Sequence, residues 1–172
     1  LMAHNLATLT DLMGDVPWSE ALQPGVIYTP KLDKQEDIYK DVNALLDDAL
    51  VNFAKDSDFP SLGSQDIIFG GNIGRWAKLA SGLKARYLIR LAHINADYPA
   101  VIAYANESFA SSAEQAQLNY NGGTMISPFY KFFTDRDYYG ASQSLYNKLD
   151  DRNDPRLDVF WKEYPGTDDF VL

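Results

Sequence analysis

Cysteine is absent from this chain, which excludes disulfides, thiolate metal sites and a cysteine nucleophile within it. The redox compartment stays open, because an exported protein can do without disulfides. Histidine is scarce. His4 and His93 are the only two, and neither sits in a motif that a Ser/His/Asp triad or a His-rich metal site requires. His93 reads as a helix-terminal imidazole near a C-terminal dipole and His4 as a surface residue. No run of about 18 apolar residues occurs, so no segment is expected to span a membrane as a helix. Positive charge is also short: 15 Lys and Arg stand against 24 Asp and Glu, for a net charge of −9. The basic footprint of a nucleic-acid binder is missing, and an anionic membrane surface is an equally poor partner.

What remains is the composition of a globular protein. Of 172 residues, 46% are hydrophobic and 23% charged, enough for a core and for a solvated surface. Residues 1–30 carry no basic start followed by an apolar run, and the chain opens inside an apolar helical pattern at Leu1-Met2. We therefore expect an internal piece of a longer protein, read as a single helical region over 1–172.

Hydrophobic periodicity predicts helices. Met2, Leu6, Leu9 and Met13 mark one face of a helix over about 1–13, stopped by Gly14. A second helix over about 34–55 carries Ile38, Val42, Leu45, Leu46, Ala49, Leu50 and Phe53, with Asp33 and Glu36 as an Asp version of a capping box. Its other face holds Asp41, Asp47 and Asp48. A third, over about 75–95, has the stripe Trp76, Leu79, Leu83, Tyr87, Leu91 and Ile94, and is the one basic element; its Arg86 and Arg90 are expected to pair with acids such as those of the second helix. Further helices are expected at about 98–112 and 141–149. Residues 113–140 look irregular and aromatic, and Leu157, Val159 and Trp161 alternate as a short strand would. Helix–loop–helix units of this kind predict an all-α fold of tetratricopeptide-like hairpins with long irregular loops, although the tetratricopeptide consensus itself is not legible.

Chemistry-bearing constellations are few. The acids sit mostly on solvated helix faces or at turns, and sequence spacing places no two of them across a sugar. Asp150-Asp151-Arg152-Asn153-Asp154 is rich in hard oxygen ligands but lacks the EF-hand pattern and reads as a turn. Gly70-Gly71-Asn72-Ile73-Gly74 precedes a helix but has the wrong ending for a phosphate loop. No cofactor, metal or catalytic group is therefore assigned. The aromatic stretch is different. Aromatic faces beside polar side chains suit sugar rings, which are apolar on their faces and ringed by hydroxyls. Tyr120, Tyr130, Tyr138 and Tyr139, with Asp135 and Arg136 close by, are the candidate ligand-binding residues; Trp18 and Tyr28 are outside candidates. Phe129, Phe132 and Phe133 either join them or pin the segment to the helices.

Three motifs give the chain a family resemblance. Gly14-Asp15-Val16-Pro17-Trp18-Ser19-Glu20-Ala21 resembles the "GDVP-x-SEA" segment of SusD/RagB lipoproteins, especially the branch called starch-binding associating with outer membrane. Arg75 to Arg90 is similar to that branch's "W-x-K-x-A-N-S-L-K-L-R-x-x-x-R" helix, with Gly82 and Ala85 as departures. Asn153-Asp154-Pro155-Arg156-Leu157 resembles its "NDPRL" turn. The resemblance implies tetratricopeptide-like hairpins and a lipid anchor on an N-terminal cysteine outside this piece. It implies an outer-membrane, surface-exposed location and a TonB-dependent (SusC-like) transporter as partner. It implies binding of an oligosaccharide, or of an oligopeptide in the RagB kind, without catalysis. A generic helical-repeat scaffold for protein binding stays open beside it. The motifs look structural, and no ligand residue is carried over from them.

Overall fold

The first helix, α1 (Met2–Met13), is followed by α2 (Gln35–Phe53), α3 (Ile73–Arg90) and α4 (Tyr98–Glu107). The structure, a computed structural model, describes residues 1–136, 142–160, 162, 163, 170 and 171. The chain forms two compact units, 1–118 and 119–172.

In the first unit each helix packs on the next, α1 on α2, α2 on α3 and α3 on α4. The core between them is made by Ala3, Leu6 and Ala7 of α1, Ile38, Tyr39, Val42 and Leu46 of α2, and Ala80 and Tyr87 of α3. Tyr39 and Tyr87 meet edge to face with ring centres 6.1 Å apart. Each large aliphatic side chain buried here stabilises the fold by about 1.5–3 kcal/mol. The stripes of α2 and α3 fall largely where the periodicity places them, but α1 is rotated. Ala3, Leu6, Ala7 and Thr10 face the core, whereas Met2, Leu9 and Met13 are exposed. Small alanines let α1 lie close to α2, and that proximity outweighs the burial of longer side chains. Ile94, placed in the stripe of α3 by sequence, lies beyond the helix end and is exposed.

The "GDVP" motif is a strap between α1 and α2. Gly14 ends α1 at φ 77°, a left-handed backbone that glycine takes without strain, and its N–H donates to the Thr10 carbonyl. Asp15 accepts the backbone N–H of Gln35 at 2.9 Å and so caps α2. Val16 is buried and pairs with Asp33 as an isolated bridge. Asp33 makes no cap on α2, contrary to expectation. Its carboxylate turns back to accept the N–H groups of Trp18 and Ser19 and the Ser19 hydroxyl, and the Ser19 N–H in particular holds its pKa below the ordinary value.

A second tie precedes α3. The Asp66 carboxylate accepts the N–H groups of Ile68, Phe69 and Gly71 and the Trp76 indole N–H. Burial alone would raise its pKa, but the Trp76 bond and the three amides together hold it at about 2. Trp76 in turn meets Phe69 edge to face at 5.1 Å. The basic face of α3 is structural through Arg90, as expected, and through Lys84 where Arg86 was expected. Lys84 is buried, pairs with Asp47 of α2, and lies 4.5 Å above the Tyr104 ring. Arg90 pairs with Asp11 of α1, not with α2. Arg86 is exposed, and no carboxylate among the described residues pairs with it. Gly82 allows the close approach of α4, since a Cβ there would meet Ser108 Oγ at 2.3 Å. The two outer helices keep apolar residues in solvent: Leu12 and Met13 on α1, and Tyr98 and Ile102 on α4.

The second unit holds α5 (Pro128–Arg136), α6 (Gln143–Asp150), α7 (Leu157–Phe160) and two paired two-residue strands, β1 (Lys162–Glu163) and β2 (Phe170–Val171). Two expectations are corrected here. The irregular reading of 113–140 fails at α5, because Pro128 opens the helix where its missing N–H costs nothing and Lys131 reaches Asp135 one turn on. The strand reading of 157–161 fails at α7. Asp154 accepts the N–H of Arg156 and its carbonyl that of Leu157, which starts a helical turn instead, while Trp161 lies outside the described residues. The architecture is all-α, with tetratricopeptide-like hairpins in the first unit and no more sheet among the described residues than β1–β2.

Candidate functional site

The aromatic segment is built around one turn. Asn121-Gly122-Gly123-Thr124 reverses the chain between Tyr120 and Met125. The Asn121 N–H donates to the Met125 carbonyl at 3.0 Å, and the Met125 N–H returns to Asn121 Oδ1 at 2.9 Å. The same oxygen accepts the Gly123 N–H at 2.9 Å, and Asn121 Nδ2 donates to Thr124 Oγ1 at 3.1 Å. Gly122 sits at φ 71°, which favours glycine. Ile126 and Ser127 then lead into α5, whose first turn is closed by the Lys131 N–H on the Ser127 carbonyl at 2.9 Å.

This frame presents rings to solvent. Phe129 is 73% exposed, Tyr130 64% and Tyr120 47%, values far from those of core aromatics such as Tyr87 at 2%. Phe132 is exposed too, three residues along α5 from Phe129 and so on the same side of the helix. Asp135 lies 3.4 Å from Lys131, an exposed pair that leaves carboxylate oxygens accessible to a hydroxyl. Of the sequence candidates, Tyr120, Tyr130 and Asp135 therefore fall within 16 residues around one turn and one helix. Arg136 closes α5, and Tyr138 and Tyr139 lie outside the described residues.

Trp18 belongs to the first unit. Its ring packs against the core and its indole N–H donates to Asp41 at 2.9 Å. Tyr28 in the strap is 84% exposed. A cleft of about 180 Å³ lies where Asp11, Gln35, Tyr39 and Arg90 converge. Its polar groups are spent on one another: Asp11 serves Arg90 and Tyr39, and Gln35 donates to the Thr10 carbonyl. Among the described residues, no group of three or more His, Cys, Asp or Glu gathers as a metal site would require, and no helix is long and apolar enough to cross a membrane. Asp154, one of the acids of the 150–154 run, is held by Arg156 at a pKa of about 2 and serves the turn.

Consecutive antiparallel hairpins joined by motif-built straps define a tetratricopeptide-like helical protein. Residues 1–170 match the family of SusD-like proteins described as starch-binding associating with outer membrane, and the chain belongs to that family. A SusD/RagB family protein from Bacteroides thetaiotaomicron VPI-5482 is similar at 39% identity and a TM-score of 0.81, over 90% of this chain and 32% of that one. A SusD homolog from Bacteroides fragilis NCTC 9343 is 26% identical at a TM-score of 0.73, covering 93% of this chain and 35% of its own. A protein described as chitin-binding is 27% identical at a TM-score of 0.70, covering 95% and 38%. The chain thus spans about a third of the length of these solved relatives. Among curated proteins no match was found.

Proposed function

We propose that this chain is part of a non-catalytic, surface-exposed lipoprotein that binds glycans for a TonB-dependent outer-membrane nutrient importer. The observation that carries the reading is the exposure of Tyr120, Phe129 and Tyr130 around a locked turn and a short helix. Rings held out from a rigid frame can stack on the apolar faces of sugars, and Asp135 with its neighbours can take the hydroxyls at the edge. Membership of a family described as starch-binding associating with outer membrane supports the ligand class and the location. The chitin-binding relative supports a glycan as well. Arg136, Tyr138 and Tyr139 stay candidates by sequence in this reading, and Trp18 is kept as a separate candidate in the first unit. The lipid anchor and the SusC-like transporter belong to the whole protein.

The test is an array of oligosaccharides and oligopeptides probed with the full-length protein, followed by calorimetry on a Tyr120→Ala/Tyr130→Ala variant. Loss of one stacking ring should cost about 1–2 kcal/mol, tenfold or more in affinity. Binding to peptides alone would overturn the glycan reading in favour of a RagB-like one. Unchanged glycan affinity in the folded double variant would remove the site.

A further inference from the structure

We infer that Asn121 is a positioning residue for ligand binding, fixing the ring of Tyr120 and the start of α5 in one arrangement before any ligand arrives. The inference rests on the glycan-binding reading of this segment. Nine residues separate Tyr120 from Tyr130, a span that an unrestrained chain samples widely, at about 1–2 kcal/mol of conformational entropy per residue fixed. Here the chain is closed into a turn, and one side chain does most of the closing. Asn121 Oδ1 accepts two backbone N–H groups, those of Gly123 and Met125, while Nδ2 holds Thr124. The Asn121 N–H on the Met125 carbonyl completes a reciprocal pair. The turn is exposed, so these bonds bury no apolar surface and add little to the stability of the helices. Their effect is local. They bring the backbone at Tyr120 back to the residues that open α5, so the rings on both sides of the turn leave from a common base. Asn121 spends its oxygen and its amide on the turn, and the hydroxyls of a sugar are left to Asp135 and its neighbours.

A ligand that stacks on several rings gains from this because the ordering cost is met in the fold instead of at binding. Removing the lock should weaken binding without changing the contacts. The chemistry also separates two substitutions. Asn121→Asp keeps an oxygen for the Gly123 and Met125 amides and loses only the donor to Thr124, while Asn121→Ala loses all of it. Gly122→Ala opens the same turn by another route, since φ 71° is strained for a residue with a Cβ.

The experiment is calorimetric titration of the full-length protein with maltohexaose and chitohexaose, for wild type, Asn121→Ala, Asn121→Asp, Gly122→Ala and Tyr130→Ala, with a thermal melt of each. We expect Asn121→Ala and Gly122→Ala to bind about fivefold to tenfold more weakly with a less favourable binding entropy, Asn121→Asp to bind as wild type, and all melts to coincide. Wild-type affinity in Asn121→Ala beside lost affinity in Tyr130→Ala overturns the positioning role and leaves the aromatic site standing. Equal weakening by Asn121→Asp and Asn121→Ala overturns the role of the oxygen. Wild-type affinity in Tyr130→Ala, or no binding of either sugar by the wild type, overturns the aromatic site and the inference together.

Discussion

Asp66 gathers four donors at one carboxylate, and the proton balance follows from that. Its folded pKa of about 2 lies below the ordinary aspartate value of 3.8. The unfolded chain therefore binds more protons as pH falls, so the stabilisation from this group is complete above about pH 4 and is lost as pH drops through about 2. We expect Asp66→Asn, which lacks the charge, to flatten the acid limb of a denaturation series measured between those limits; an acid limb identical to wild type would contradict the role. Lys84 makes a second test. Its ammonium is buried between Asp47 and the Tyr104 ring, but Asp47 keeps about half its side chain in water and can be resolvated when the lysine is gone. Lys84→Ala should therefore cost about 1–2 kcal/mol in chemical denaturation, short of the loss for a fully buried pair. Neither role was legible from sequence. Asp66 stood in a loop beside glycines, and Lys84 was one of several cations on a helix whose arginines drew attention by their spacing. Which cation turns inward depends on the direction of the neighbouring helix, and sequence order does not contain that.

Helices were the legible elements, because an apolar stripe at helical spacing is a local signal that packing seldom overrides. The stripes of α2 and α3 were correct in their centres, with Ile38, Val42, Leu46 and Tyr87 all buried. The errors have two causes. On α1, Ala3 and Ala7 were passed over for longer side chains, yet close packing prefers small residues. At α5 and α7, a proline and an Asx-type turn start helices where the sequence reads as irregular chain and as a short strand. The aromatic segment was legible as a site candidate by composition, while its frame was not, since the Asn-Gly-Gly signal gives a turn but not what the turn holds. Two substitutions probe how elements are joined. Asp15→Ala removes the side-chain cap of α2 and should cost about 1 kcal/mol. Gly82→Leu should cost about 1–3 kcal/mol by forcing α4 away from α3 at Ser108. Equilibrium unfolding of each variant checks both, and a neutral Gly82→Leu would mean that the two helices are free to slide.

For the molecule as a whole, the apolar residues on α1 and α4 matter most. Leu12 is 78% exposed and Ile102 60%, on the first and last helices of the first unit, whose members otherwise turn apolar faces to each other. A helical stack is soluble only when its outermost faces are polar or covered. The 172-residue chain, produced alone, is therefore expected to self-associate, and Ile102→Glu should shift its sedimentation toward the monomer. A monomeric wild-type chain at tens of micromolar would show these faces to be harmless.

The strap between α1 and α2 has a further consequence. Its two ends are fastened by Asp33 and by Glu20, which accepts the Lys31 N–H, while Leu22 and Tyr28 between them stand 89% and 84% in solvent. Leu22 also sits at φ 58°, outside any regular element. A protease with a taste for large apolar or aromatic residues should cut there before it reaches any helix. The cut would free no fragment, since α1 is held to α2 by the core and Trp18 and Ser19 remain tied to Asp33 across the nick. The nicked chain should run as two pieces under denaturing conditions and as one species in native gels. The strap would then be a place where the covalent chain is dispensable, open to insertion of a tag without loss of the fold.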